Sequence, residues 1–123
     1  MALTVTDVSD APPQGVTLAL GQRLLAVAET DTSGAEVARG YVRITVTQDR
    51  QPQAIRYSLR GWVLDATGAY VEVAGEPVSL PAAEHTWMLG ESDGTPAEFL
   101  ARALEQEATR VWRAWRQLAA MHH

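Results

Sequence analysis

The residues whose types and spacing best suit chemistry surround Ser92. The segment from Gly90 to Gly94 reads Gly-Glu-Ser-Asp-Gly and matches the G-x-S-x-G pattern of a hydrolase nucleophile elbow. That elbow needs a core parallel strand before the serine, and an acid and a histidine after it. The only histidines that follow are the last two residues, His122 and His123. The segment therefore predicts an ordinary polar loop before a helix.

The other ionisable residues predict neither a catalytic site nor a metal site. The chain has no cysteine, and His85 has no second internal histidine at a metal-ligand spacing. Acid–base catalysis would need two carboxylates in one cleft. The pattern instead puts Asp65 in a turn and Glu72 on the solvent face of a strand. We therefore predict a protein that is not an enzyme and carries no cofactor.

The arginines suit a binding surface. Arg43, Arg56 and Arg60 are expected to cluster on the polar face of two adjacent strands, and Arg113 and Arg116 lie beside tryptophans in the sequence. Arginine next to tryptophan suits nucleic-acid stacking, a protein interface, or a solvated face paired with acids. The net charge of −5 opposes a polyanion, so nucleic acid is the least favoured partner.

Length and composition set the broad class. The 123 residues fit one domain, because domains run to roughly 100–200 residues. Hydrophobic residues make up 46% of the chain, which is ordinary for a globular fold. No apolar run reaches the roughly 20 residues of a membrane helix, and the first residues lack a signal-peptide pattern. We expect no membrane partner and a cytoplasmic or virion location.

Strand patterns fill the chain before residue 95. Two long segments alternate apolar with polar residues, as antiparallel strands with one buried face do: Val42, Ile44 and Val46, then Ile55, Tyr57, Leu59 and Val63. A connector is predicted over residues 48–53, a third strand over 70–73 and a short last strand over 86–89. Residues 16–29 fit both helical and strand spacing, and we favour a strand bent at Gly21.

Residues 2–8 alternate as a short strand, and Pro12 and Pro13 then interrupt regular structure. This strand could lie at an edge of the main sheet or extend as an arm to another subunit. The sequence leaves both interpretations open.

A long helix is predicted over residues 95–121. Thr95 is a suitable N-cap, Pro96 suits the first helical position, and Glu98 completes a capping box. An apolar stripe follows at steps of three and four residues: Leu100, Leu104, Ala108, Val111, Trp115 and Leu118. The predicted fold is α+β, with a meander-like antiparallel sheet of about five to seven strands packed against this amphipathic helix. The single domain then comprises a strand and proline-rich link (1–15), the sheet (16–94) and the helix.

Four tryptophans exceed what one small core needs. Trp112 lies roughly 60° off the helical stripe. Trp62 and Leu64 fall on the strand face that otherwise carries arginines, so another part of the chain or another subunit must cover them. These features give the interface candidates: Trp62, Leu64, Trp112, Arg113, Arg116, Leu3 and Val5.

The sequence favours a structural or assembly subunit that self-associates, or docks on a partner protein, as a homo-oligomer. Virion-type components such as phage tail, neck or capsid-associated proteins share this composition and fold class, which is an analogy only. The alternative is a module that binds an apolar small molecule between sheet and helix. Trp87, Tyr57 and Trp115 would then form its walls.

Overall fold

The computed structural model describes residues 2–92 and 94–121. Within these ranges seven strands and one helix follow in chain order: β1 (Ala2–Asp7), β2 (Gln22–Thr30), β3 (Glu36–Gln51), β4 (Ala54–Leu64), β5 (Glu72–Val73), β6 (Glu76–Pro77), β7 (Ala83–Met88) and α1 (Pro96–Met121). Five strands form one antiparallel sheet in the order β1-β2-β3-β4-β7, and β5 and β6 form a separate hairpin. The helix packs on the sheet, which confirms the predicted α+β fold.

The β3–β4 hairpin is longer than the sequence predicted. The strands pair from Tyr41 and Leu64 to Gln51 and Ala54, so the connector predicted over 48–53 is wrong. Only two residues join the strands. The polar residues of the predicted connector are exposed on β3, whereas Ile55 and Tyr57 opposite them on β4 belong to the core.

The first strand is an edge strand of the main sheet. β1 pairs with β2 of the same chain, from Ala2 with Thr30 to Asp7 with Leu25. Of the two interpretations left open, the edge strand is confirmed. The proline-containing link then returns to Gly21, which has a positive φ of 82° at the turn before β2. The strand favoured within residues 16–29 is confirmed from Gln22 onward.

The segment between β4 and β7, residues 65–82, has a shorter third strand than the sequence predicted. The third strand expected over residues 70–73 shrinks to the two residues of β5, which pair with β6. Ala74 and Gly75 have positive φ values of 54° and 82° and make the turn between them. This segment folds back onto the sheet through a bridge between Trp62 and Ser79.

The helix begins at the predicted cap. The backbone N–H of Glu98 donates to Thr95 Oγ1 at 3.2 Å. Near this end Phe99 stacks on Tyr57 of β4, with ring centroids 6.2 Å apart. At the other end Trp112 reaches Glu29 of β2. The helix therefore crosses the sheet diagonally, and within the described residues no helix has both the length and the apolar character that a membrane crossing needs.

Glu107 is a buried carboxyl group on the helix, with 1% of the residue exposed. Arg110 donates from Nε to Glu107 Oε1 at 2.7 Å. Among the described residues, Oε2 has no hydrogen-bond partner. Burial raises the pKa of Glu107, and Arg110 and His85 lower it in part.

This carboxyl group makes stability depend on pH. Because its pKa is raised in the folded state, the native protein holds the proton where the unfolded chain has lost it. Stability should therefore fall as pH rises from the ordinary value of 4.5 through the raised value. We expect Glu107→Gln to remove this part of the decline, measured as thermal midpoints from acid to neutral pH. The exposed change Glu105→Gln is the control, and parallel curves for Glu107→Gln and wild type would contradict the assignment.

Candidate functional site

A groove of about 440 Å³ lies between the end of the sheet and the last turns of the helix. Its lining combines residues of three elements: Leu3 on β1, Glu29 on β2, and Arg113, Arg116, Gln117 and Ala120 on α1. Three of the seven predicted interface residues therefore meet here, namely Leu3, Arg113 and Arg116. Val5 lies two residues along β1 from the groove, and it packs, half-buried, against the core.

The floor of the groove is a buried carboxylate. Glu29 stands opposite Leu3 in the sheet and is 3% exposed. The indole Nε1 of Trp112 donates to Glu29 Oε1 at 3.0 Å. Arg116 Nε lies 3.3 Å from the same oxygen as an ion pair without hydrogen-bond geometry. Within residues 2–92 and 94–121, Glu29 Oε2 and Arg116 Nε have no hydrogen-bond partner.

Aromatic rings hold Arg116 in place. Its guanidinium carbon lies 5.5 Å from the centroid of the Trp115 ring, which is cation–π distance. Trp115 in turn meets Trp112 edge to face, with centroids 4.7 Å apart. The guanidinium therefore lies between an aromatic ring and the Glu29 carboxylate.

Two of the seven interface candidates are buried within the chain, which corrects the sequence-based interpretation. Trp112 is fully buried, although its angle on the helix predicted exposure. Its ring packs above Gly40, where the missing side chain leaves room. Leu64 is also fully buried, in a small cluster with Val16 and Leu24 on the outer face of the sheet. Neither side chain is available to a partner.

Trp62 stays half-buried on the outer face of the sheet. The guanidinium carbon of Arg60 lies 5.7 Å from its ring centroid. The neighbouring arginines have local partners: Arg56 pairs with Asp49 at 3.0 Å, and Arg43 donates to the Tyr70 hydroxyl at 2.9 Å. Each of these arginines contacts a residue of the hairpin or of a nearby loop, so they do not form one cluster on the outer face.

The candidates for chemistry that the structure describes are exposed side chains in turns, a loop and a short strand. Ser92 is exposed in the loop before the helix, and Asp93 of the same motif lies outside the described residues, as do His122 and His123. Asp65 Oδ1 accepts hydrogen bonds from the backbone N–H groups of Thr67 and Ala69, which confirms it as a turn residue. These bonds lower its pKa, with the Thr67 hydroxyl contributing most. Glu72 is exposed on the short β5.

The two edges of the sheet differ. Val8 N donates to Leu24 O, so the alternation of an antiparallel ladder points the backbone groups of Leu3, Val5 and Asp7 away from β2. In the described part of the chain these groups have no partner. On β7 the outward groups of Met88 bond to Glu91 through its side chain and its backbone N–H. The β1 edge is therefore open and the β7 edge is partly closed.

Sequence reasoning missed Glu29. A signal was present, because Leu25, Val27 and Glu29 share one phase of β2. A charged residue in the buried phase of a strand needs a partner, and its partners lie more than 80 positions along the chain. No protein family, no curated protein and no solved structure matches this chain.

Proposed function

We propose that this chain is a non-enzymatic assembly subunit that self-associates through the β1 edge. The observation that carries the proposal is the open row of backbone groups at Leu3, Val5 and Asp7. It lies beside a groove whose walls include two arginines. A second strand that pairs with this row would satisfy the unpaired donors and acceptors.

The composition of β1 supports pairing. Proteins that remain monomers protect their edge strands with lysine, proline, bulges or covering elements. Residues 2–6 of β1 are alanine, leucine, threonine and valine, so this stretch carries no charge and no proline. Valine and threonine favour extended structure. The strand thus has the properties of one that adds to a neighbouring sheet.

The surroundings of β1 resemble the core and rim of a protein interface. Trp115 and Leu118 are half-buried on the same side as Leu3 and Val5. Met121 is 77% exposed at the end of the helix. Tryptophan, methionine and arginine are enriched at interfaces relative to the rest of the surface. The virion-type setting remains a prediction from the sequence.

The mass of the protein in solution tests this proposal. We expect the wild-type protein to associate as its concentration rises, measured by sedimentation velocity and light scattering. Val5→Lys should shift it to the monomer, because a charge at the edge opposes pairing. Val46→Lys, at a valine of β3 that is likewise half-buried against the core, is the matched control and should leave the mass unchanged. A wild-type chain that stays monomeric at its highest soluble concentration would refute the proposal.

A second candidate function is the binding of a small molecule in the groove. The observation in its favour is a groove that combines apolar Leu3 and Ala120 with the partly exposed side chain of Arg116. A ligand with an apolar body and an amide group could pack on the first two and accept a hydrogen bond from the exposed part of the Arg116 guanidinium. The groove volume lies in the range of ligand pockets. The predicted walls Trp87 and Tyr57 belong instead to the buried core.

Thermal shift assays with a panel of small apolar amides test this second function. We expect a concentration-dependent rise in the melting temperature that Arg116→Met abolishes. Arg102→Met, on an exposed part of the helix, should retain the rise. No shift with any amide would exclude this ligand class.

A further inference from the structure

We infer that the partner at the β1 edge is a second copy of this chain, paired antiparallel about a two-fold axis at Val5. This inference rests on the proposed self-association and adds its register. Two-fold dimers use the same surface on both subunits, so a strand that is complementary to itself is required. The geometry of β1 defines that complementarity.

The register follows from the backbone groups that point outward. In an antiparallel pair, residues that exchange hydrogen bonds stand directly opposite each other. Leu3, Val5 and Asp7 carry the outward groups, so these residues must face one another. A two-fold axis at Thr4 or Thr6 would pair only two of these three residues within β1, whereas an axis at Val5 pairs all three. It sets Val5 against Val5, Leu3 against Asp7, and Thr4 against Thr6 of the other copy. Centring on Asp7 would oppose two carboxylates, which is destabilising.

This register brings opposite charges together. Directly opposed residues place their side chains on the same face of the sheet. Leu3 faces the helix and lines the groove, so Asp7 of the second copy would arrive beside Leu3 on that side. The groove there presents Arg113 and Arg116, and Glu29 already engages Arg116. Arg113 forms no ion pair with any residue that the structure describes.

Asp7 is accessible for a contact with Arg113. Its residue is exposed, and its side chain retains 36% of its accessible surface despite the contact with Arg23. Burial raises the pKa of Asp7, but hydrogen bonds from Ser9 and Arg23 outweigh this and lower it overall, so the group is charged at neutral pH. The two-fold axis repeats the contact, which gives two Asp7–Arg113 contacts in each dimer. The product is one ten-stranded sheet with both helices on the same face.

The cysteine-free chain allows a direct test by disulfide formation in the full-length protein. Val5→Cys should give a covalent dimer under mild oxidation, because opposed hydrogen-bonded residues have Cα atoms about 5.5 Å apart. Thr4→Cys alone and Thr6→Cys alone should form no covalent dimer, because in this register the two copies of the same position are offset by two residues along the strands. A mixture of the Thr4→Cys and Thr6→Cys proteins should form the mixed disulfide, read by mass spectrometry.

The charge contact is tested separately. Arg113→Glu should weaken the dimer about tenfold, with two surface ion pairs lost per dimer. Arg102→Glu makes the same charge change on an exposed position of the helix and should have a smaller effect. Equal weakening by both variants would show that total charge acts and would remove Asp7 and Arg113 from the interface.

The outcomes separate the two proposals. If the wild-type chain associates but Val5→Cys and the mixture of Thr4→Cys and Thr6→Cys give no disulfide, this register is wrong and self-association stands. If Thr4→Cys or Thr6→Cys alone forms disulfides as fast as Val5→Cys, the pairing is not centred on Val5. If the wild-type chain does not associate, both proposals fail.

Discussion

Trp112→Ala is expected to destabilise the fold by about 4 kcal/mol, the largest effect of any single change considered for this protein. The indole is fully buried and packs above Gly40 of β3. Its removal leaves a cavity between sheet and helix. It also takes the only indole donor from Glu29 Oε1, so a buried carboxylate keeps Arg116 as its one described partner.

Chemical denaturation followed by circular dichroism measures this effect. Trp115→Ala is the matched control, because that indole is half-buried on the same helix and donates no described hydrogen bond. We expect its cost to be about half as large, since less surface is buried. Trp112→Phe should lie between the two, because it keeps most of the ring volume and loses the bond to Glu29. Equal costs for the Trp112 and Trp115 variants would contradict this account.

Gly40→Ala is expected to cost about 3 kcal/mol, at the upper end of the range for overpacked sites. A Cβ atom at this position would collide with the backbone carbonyl oxygen of Leu64 and lie 3.2 Å from the Trp112 ring. The oxygen belongs to the β-ladder and cannot rotate away. The strands or the helix must therefore shift.

Gly15→Ala separates this collision from backbone strain. Gly15 has a positive φ of 89° and no neighbouring atom within 4 Å of the added carbon, so only the strain of about 1 kcal/mol applies. If Gly40→Ala costs no more than Gly15→Ala, the close approach at Gly40 is not what requires glycine. The double variant Gly40→Ala/Trp112→Ala should cost less than the sum of the two single costs, because the two residues share one contact.

Both changes bear on the proposed interface. Trp112 links the buried core to Glu29, and Glu29 lies in the groove beside the β1 edge. Without the hydrogen bond from Trp112, the Glu29 side chain could shift and weaken its ion pair with Arg116. Self-association should therefore weaken in Trp112→Phe even where the chain remains folded.

The sequence determined the fold class and most of the elements. Strict alternation in Val42, Ile44 and Val46 and the N-cap at Thr95 are local signals, and the structure confirms both. The connector and the third strand were wrong because polar ends of strands and short hairpins leave no local pattern that differs from a loop. Interface candidates such as Leu3 and Arg113 were chosen by residue type, and their meeting in one groove was not predictable from spacing.

Only the tertiary structure decided that Trp112 is buried and which residues pair with the buried carboxylate of Glu29. A helical angle specifies where Trp112 points, but its burial depends on the space above Gly40, 72 positions earlier in the chain. The same holds for Glu29, whose phase on β2 follows from the sequence while Trp112 and Arg116 reach it by packing. Alternation and capping depend on residues a few positions apart, so the local sequence specifies them. The contacts of Trp112 and Glu29 join residues far apart in the chain and form only when the helix packs on the sheet.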